Sequence, residues 1–440
     1  MNEELKNEVL EKIKPKKEEK EQVTEVAKEI VSLVEREIGT IGKCTVVGSI
    51  VKGTFLSNDR DVDIFVIFKN EMSTDKLRNE VQNIGKRVFG SFEEKYAQHP
   101  YIHAHYRGME IDLVPAFEFK GRIKSSVDRT PEHTQFVLRR IRENEGLKNE
   151  ILLLKQFAKG INLYGAESKV QGFSGYLCEL FIIRYQSLEG FLEAAKTFEK
   201  GTMLTIGEGA KKKKRKEWDQ SPLIFVDPVD SRRNVASSLS EENIELLKEA
   251  ASAFLKDPKI TFFFPNEPPV YKKINTENLI AIDLSNAIKL RIEDIYFSQL
   301  RRAMNLIKKQ LEEFGVEKSG IFCNGKRALI FFKLNKMELQ RKIEHEGPPI
   351  SMKAHAKKFI EKWGKERCYT KNMRVYTVVE REDTRAKRII EKSFEFLKLG
   401  KGINNKKIEI LEDIDLNIKQ DPELKKFLRK LLSNKRSWEF

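Results

Sequence analysis

The chain has 440 residues, too many for one hydrophobic core, so several domains are expected. Its 82 Lys and Arg against 67 Asp and Glu leave a formal charge of +15 and a sequence pI of about 9.3, a balance that favours a polyanionic partner. No apolar run approaches the ~18 residues of a membrane helix, the first residues are charged rather than signal-like, and Cys44, Cys178, Cys323 and Cys368 are far apart with no CxxC, which argues against a helical span, a disulfide frame and a cysteine zinc site and makes the cytoplasm the expected compartment. High Lys and Glu with few Cys also fits a thermophile.

Residues 2–38 read as two helices, with Val9 and Ile13, then Val23, Val26, Ile30 and Val34 at helical spacing and Pro15 between them. Cys44 to Val47 reads as a short apolar strand, Gly48-Ser49 as a turn, and the basic stretch with Lys52 as a linker. A second strand, Asp61 to Phe68, opens with two aspartates and then runs apolar on both faces. Side chains on a strand alternate, so Asp61 and Asp63 point the same way. Two like charges side by side are costly unless a cation joins them, and a hard divalent ion such as Mg²⁺ is the natural partner of carboxylate oxygens.

A helical pattern (Leu77, Val81, Ile84, Val88) leads to strands around Phe92–Tyr96 and Ile102–Val114. Asp112 lies in the last of these and, if that strand lies beside the first, completes a triad able to hold two metals about 3.5–4 Å apart, a standard device for in-line displacement at phosphorus. The backbone N–H groups and hydroxyl of Gly48-Ser49 suit phosphate oxygens. His99, His103 and His105 alternate, but hard phosphate chemistry prefers oxygen ligands and no metal is assigned to them. Thr130-Pro131-Glu132-His133 reads as a helix start, with His133 able to reach a phosphate or sugar.

From Asn149 the chain turns helical. Lys155 sits on the mainly apolar face of Ile151 to Ala158 and either snorkels or, the preferred reading, points into the cleft. Tyr164 follows in a loop. Ser174 to Tyr185 is apolar nearly all round and reads as a buried helix capped by Ser174. Lys211 to Lys216 reads as a surface loop that is solvated or touches RNA phosphates. Val226 to Asp230 leads to Arg232-Arg233-Asn234, where an arginine beside the cleft could donate to a base edge.

Beyond Asp257, strands are expected at Thr261–Phe264 and Leu279–Ile288, then a helix with Phe297, Leu300, Met304, Ile307, Leu311 and Phe314 on one face. Strands at Gly320–Cys323 and Ala328–Leu334 complete an order that suggests a ferredoxin-like platform. A further unit has a helix Ala354–Trp363, a strand Arg374–Glu380 and a helix Thr384–Leu397. Its Lys357, Lys358, Lys362, Lys365, Arg367, Lys371 and Arg374 suit an RNA stem. A short basic helix, Pro422–Leu432, ends the chain, and no internal repeat is evident.

The order Gly-Ser, spacer, Asp-x-Asp in a strand, then a later Asp in a strand resembles the nucleotidyltransferase superfamily of poly(A) polymerases, DNA polymerase β and CCA-adding enzymes. Tyr96 to Tyr101, Ser126 to His133, Tyr164 to Glu167, Gly172 to Leu180 and Val226 to Ala236 look like archaeal-type, class I CCA-adding enzymes; beyond them the order of elements carries the likeness. The resemblance implies an α+β multidomain fold: a polymerase β-like mixed-sheet head (1–145), a helical neck that recognises the base (146–256), a ferredoxin-like body (257–335), and an α/β RNA-binding tail with the C-terminal part of the body (336–440).

It further implies template-independent addition of CMP, CMP and AMP to the 3′ end of tRNA from CTP and ATP, with release of pyrophosphate, using two Mg²⁺. Asp61, Asp63 and Asp112 would be catalytic and bind metal. Ser49, Lys52, His133, Lys155, Tyr164 and Ser174 would hold the triphosphate and sugar, and Arg233 would read the base with Asp230 orienting it. The family often has Arg where Lys52 stands, so the bidentate fork is replaced by a point charge. Partners are then the tRNA acceptor stem and 3′ end, CTP and ATP, and no membrane, with a homodimer left open. Alternatives are a poly(A) polymerase or oligoadenylate synthetase, which would use ATP alone, or a silent RNA-binding scaffold, which would be expected to lose its acids. An antibiotic nucleotidyltransferase is disfavoured by length and charge.

Overall fold

The computed structural model describes residues 1–59, 61–96, 100–118, 129–207, 215–268, 274–289, 292–412 and 421–440. His99, residues 126–128 and residues 211–214 of the basic run lie outside the described residues. The chain divides into two units, Met1–Glu267 with Lys435–Phe440, and Pro268–Asn434. Among the described residues no helix is long and apolar enough to cross a membrane.

The first unit opens with α1 (Glu3–Ile13) and α2 (Lys17–Ile38), which part at Pro15 as the periodicity predicts. Then come β1 (Gly42–Val46), α3 (Gly48–Lys52), β2 (Asp61–Phe68), α4 (Thr74–Phe89), β3 (Glu93–Tyr96), β4 (Pro100–Tyr106) and β5 (Met109–Phe117). The strands form one mixed sheet in the order β1-β2-β5-β4-β3, with β2 and β5 parallel and the other neighbours antiparallel. Val62, Ile64, Val66 and Phe68 alternate onto the face covered by α2 and α4, where Ile30, Val34, Leu77 and Val81 complete the core. On the other face Phe65, Ile67 and Ala116 cluster with Val47, so only the first residues of β2 and β5 are left to carry polar chemistry.

A helical layer follows: α5 (Thr130–Glu143), α6 (Leu147–Gly160), α7 (Gly175–Tyr185), α8 (Leu188–Ala195), the short parallel pair β6 (Thr202–Leu204) and β7 (Leu223–Phe225), and α9 (Glu241–Lys256). α1 packs into this layer against α6 through Val9, Leu10 and Ile13. α7 is buried all round from Leu177 to Ile183, and Ser174 caps it by accepting from Leu177 N at 3.1 Å, as expected. Thr261–Phe264 is not a strand: Ile260–Phe262 makes a 3₁₀ turn. The adjacent Phe262 and Phe263 both enter one core against Phe157 and Phe254, which strand alternation forbids, and Trp438 of the C-terminal segment stacks on Phe262 at 5.3 Å.

The second unit runs β8 (Leu279–Asp283), α10 (Glu293–Gln310), β9 (Val316–Cys323), β10 (Ala328–Leu334), β11 (Lys342–Pro349), α11 (Lys353–Trp363), β12 (Cys368–Lys371), β13 (Arg374–Glu380), α12 (Ala386–Phe396), β14 (Glu409–Leu411) and α13 (Pro422–Leu431). β8 stops earlier than expected because the Asp283 carboxylate accepts from Ser285 N at 2.8 Å and turns the chain. The antiparallel order β14-β8-β10-β9 with α10 and α12 is the ferredoxin-like βαββαβ arrangement, and β11 to β13 form an insert before its second helix.

α12 was expected in the tail unit, yet Ala386 and Ile390 share a core with Ile280, Leu300, Ile330 and Phe332, so it is the second helix of the body. Its one-sided apolar pattern could serve either, and only packing decides. α13 covers the opposite face of the sheet, where Leu424 and Leu428 meet Phe322 and Phe331. Gly320 on β9 makes that approach possible, since a Cβ there would lie 2.9 Å from Leu431. The fully buried Ile390 supports the body directly. Ile390→Ala should cost about 2–5 kcal/mol, read from a urea unfolding curve of the full chain.

Candidate active site

β4 and β5 are joined by Arg107-Gly108, whose φ angles of 48° and 76° suit the two-residue type I′ hairpin. That turn sets His103 opposite Asp112. β5 lies parallel to β2 with Asp61 beside Glu110 and Asp63 beside Asp112. Residues i and i+2 share a face, so the four carboxylates form a two-by-two patch at the start of both strands. The three expected acids are therefore brought together, and Glu110 joins them.

Crowding is felt in their acidity. The Asp63 carboxyl is pushed up to about 7, by burial first, then by Asp112 and Asp61, against the pull of Lys52 and Lys155. Asp61 is raised by burial, then by Glu110, Asp59 and Asp112. Gly48 has φ 77°, and a Cβ there would lie 2.3 Å from Asp63 Oδ2, so the glycine of the Gly-Ser pair both turns the chain and leaves room for the carboxylate. Asp112 Oδ1 lies 2.6 Å from His103 Nδ1. Among the described residues no three acidic, His or Cys side chains stand ready as a metal-ligand group. The chemistry of the donors nevertheless fits a hard cation: all are oxygens, and a bound divalent ion would offset both the burial and the repulsion that raise Asp63.

In front of the patch lies a cleft of ≈ 690 Å³ lined by the acids and by Ser49, Lys52, His133, Lys155, Tyr164, Ser174 and Arg233. Lys52 is not on a linker. It ends α3, a single helical turn closed by Thr54 N donating to Ser49 O at 2.9 Å. Its Nζ is buried 2.6 Å from Glu179 Oε2, and Thr54 Oγ1 donates to Glu179 Oε1 at 2.7 Å. Lys155 is buried as well and donates to Thr54 O at 2.7 Å, so it enters the cleft wall rather than snorkelling. Burial drives Lys155 below the usual lysine range despite Glu179. Burial opposes ionisation of Glu179 too, but Lys52 and Lys155 outweigh it and hold the carboxyl below its usual range. The sequence did carry a sign of Glu179: one carboxylate in a helix otherwise apolar on every side must have a buried partner.

Arg233 lines the cleft, but the Asp230 carboxylate does not hold its guanidinium, meeting Arg233 only through the backbone (Arg233 N donates to Asp230 O at 2.9 Å), and Asp230 does not line the cleft. Arg233 Nη1 donates to Asp227 Oδ2 at 3.0 Å, while Asp230 takes Arg129 Nε at 2.9 Å and Arg232 N at 3.1 Å. The tight turn decides this, since Asp227 N donates to Arg233 O and sets those two residues across from each other. Asp227 is fully buried: His133 Nε2 lies 2.8 Å from Oδ2, and Val229 N (2.9 Å) and Tyr176 OH (3.3 Å) donate to Oδ1. Tyr176 stacks on His133 with ring centres 4.0 Å apart. Burial would raise Asp227, but His133, Val229 N and Arg233 hold its carboxyl down at about 2.

Comparison with known proteins follows the same division of the chain. A family described as nucleotidyltransferase domain matches residues 23–136, one described as tRNA nucleotidyltransferase, second domain, matches 149–264, and one described as CCA-adding enzyme, C-terminal domain, matches 279–413. The CCA-adding enzyme of Methanosarcina mazei is 34% identical over 455 residues, which cover 98% of this chain and 98% of that one. The chain belongs to the CCA-adding enzymes. Those of Saccharolobus shibatae (34% identical, covering 97% and 98%) and Methanocaldococcus jannaschii (33%, covering 93% and 95%) are similar over nearly their whole length. Nucleotidyltransferases generally use divalent metal ions, in keeping with the oxygen donors at the rim of this CCA-adding enzyme's sheet.

The depressed Asp227 contributes stability that is present above the unfolded carboxyl value of 3.8 and is lost as pH falls toward about 2. Asp227→Asn should therefore lower unfolding free energy at neutral pH by roughly 2 kcal/mol. In urea melts at stepped pH, the gap between variant and parent should close below about pH 4.

Proposed function

We infer that this chain adds CCA to the 3′ end of tRNA without a template, joining CMP, CMP and AMP from CTP and ATP and releasing pyrophosphate. The observation that carries the reading is one cleft in which a carboxylate patch faces two buried lysines and Arg233, within a chain similar to CCA-adding enzymes from end to end.

Asp61, Asp63 and Asp112 would hold two Mg²⁺, which when bound supply Lewis acidity and neutralise charge on the triphosphate. Asp112, held by His103, orients the terminal 3′-hydroxyl and helps remove its proton as that oxygen bonds to the α-phosphorus and pyrophosphate departs. Lys52 and Lys155, with Ser49 and Ser174, neutralise and seat the triphosphate. His133 and Tyr164 hold phosphate or sugar. Arg233, braced by Asp227, offers its planar fork to the base edge.

The basic residues of the insert grip the tRNA stem. Lys371 and Arg374 face Glu344 and Glu346 at 2.9 and 2.8 Å, so the grip falls mainly to Lys358, Lys362, Lys365 and Arg367 on and after α11.

The test offers CTP and ATP, separately and together, to a tRNA lacking its CCA end. CTP alone should add CMP, ATP alone should add nothing, and both should restore CCA. Addition from ATP alone would instead identify a poly(A)-type activity. Asp112→Asn should melt like the parent yet incorporate about 10²-fold more slowly or worse. Normal incorporation by that variant would remove Asp112 from the chemistry. Filter binding of tRNA should weaken steeply as salt rises, since many phosphates are contacted.

A further inference from the structure

Three elements of the first unit meet at one carboxylate. Lys52 comes from α3, Lys155 from α6 and Glu179 from α7, and their relative exposures are 7%, 2% and 0%. Lys52 Nζ is 2.6 Å from Oε2 and Lys155 Nζ is 3.8 Å from Oε1 of Glu179. Thr54 spans the pair, donating to Oε1 at 2.7 Å and accepting from Lys155 at 2.7 Å. All three charged groups line the cleft.

The cluster holds two cations against one anion and so keeps one positive charge in surplus. Two buried ammonium groups with no anion between them would repel each other without water to screen them. One would then lose its proton or swing away. Each ammonium has three N–H donors. Among the described bonds, Lys52 uses one on Glu179 and Lys155 uses one on Thr54, which leaves donors for phosphate oxygens.

We propose that Glu179 is a positioning residue of the nucleotide site, holding Lys52 and Lys155 charged and side by side for the triphosphate tail whatever base it carries. The proposal rests on the reading of the cleft as the triphosphate site. A clasp that merely ties α7 to the sheet layer would affect folding but would not distinguish phosphate affinity from turnover.

The experiment measures binding of CTP, ATP and inorganic tripolyphosphate to the full chain in magnesium, with steady-state incorporation alongside. The proteins are the parent, Glu179→Gln, and Glu179→Gln with Lys155→Met. Glu179→Gln should weaken all three ligands by the same factor, about tenfold, and raise KM for both nucleotides equally with kcat nearly unchanged. The double variant restores the net buried charge, so it should recover thermal stability while still binding tripolyphosphate weakly. That variant keeps the test open should Glu179→Gln fold poorly.

The proposal is overturned if either folded variant binds tripolyphosphate as tightly as the parent, if CTP and ATP lose affinity by different factors, or if kcat falls with KM unchanged. If the parent itself binds none of the three ligands, the reading of the cleft falls, and the proposal with it.

Discussion

Charge in a partly dry cleft organises this molecule. Asp61, Asp63, Glu110 and Asp112 stand in register on two parallel strands, and burial, reinforced by repulsion from Asp112 and Asp61, pushes Asp63 up to about 7. Lys52 and Lys155 are buried in the cleft wall with Glu179 between them. Each of the buried charges, Asp63, Lys52, Lys155 and Glu179, would be destabilising if left alone. Together they give a site with anionic and cationic walls, which suits a reaction that brings a polyanion and a cation into one place. The glycine at position 48 belongs to the same constraint, since any larger residue would take the space of the Asp63 carboxylate.

The helical layer serves the cleft through two fully buried acids. Glu179 on α7 gathers the lysines, and Asp227 gathers His133, Arg233 and Tyr176. Both are satisfied on both oxygens, which is what makes a buried carboxylate tolerable and what makes its neighbours rigid. The groups that would touch nucleotide are thus aimed by residues behind them rather than by their own backbone. The ferredoxin-like body carries its inserted sheet and, on and after α11, exposed lysines and arginines in the second unit.

Much of the fold was legible because periodicity is local. Pro15 divides two helices, Ala328–Leu334 and Arg374–Glu380 are strands with the bounds expected, and the apolar run after Ser174 is a buried helix. Sequence and structure part where an apolar stretch can serve two structures. Phe262 and Phe263 read as strand but turn together into one core, and β8 is cut short by the Asp283 carboxylate. β14 has three residues, too few to show a pattern, yet it forms the edge of the body sheet beside β8.

For the site, the residue types and spacing by themselves determined that Asp61 and Asp63 share a face and that Asp112 sits in another strand, while the nucleotide-binding roles of Lys52, His133 and Tyr164 came from the family resemblance. Only the tertiary structure decided which acid braces Arg233, that α12 belongs to the body, and that Lys52 and Lys155 end on Glu179. The physical reason is one of range: alternation and helix period act over a few residues, whereas a buried charge chooses its partner by position in space, here across 127 residues between Lys52 and Glu179 and 94 between His133 and Asp227.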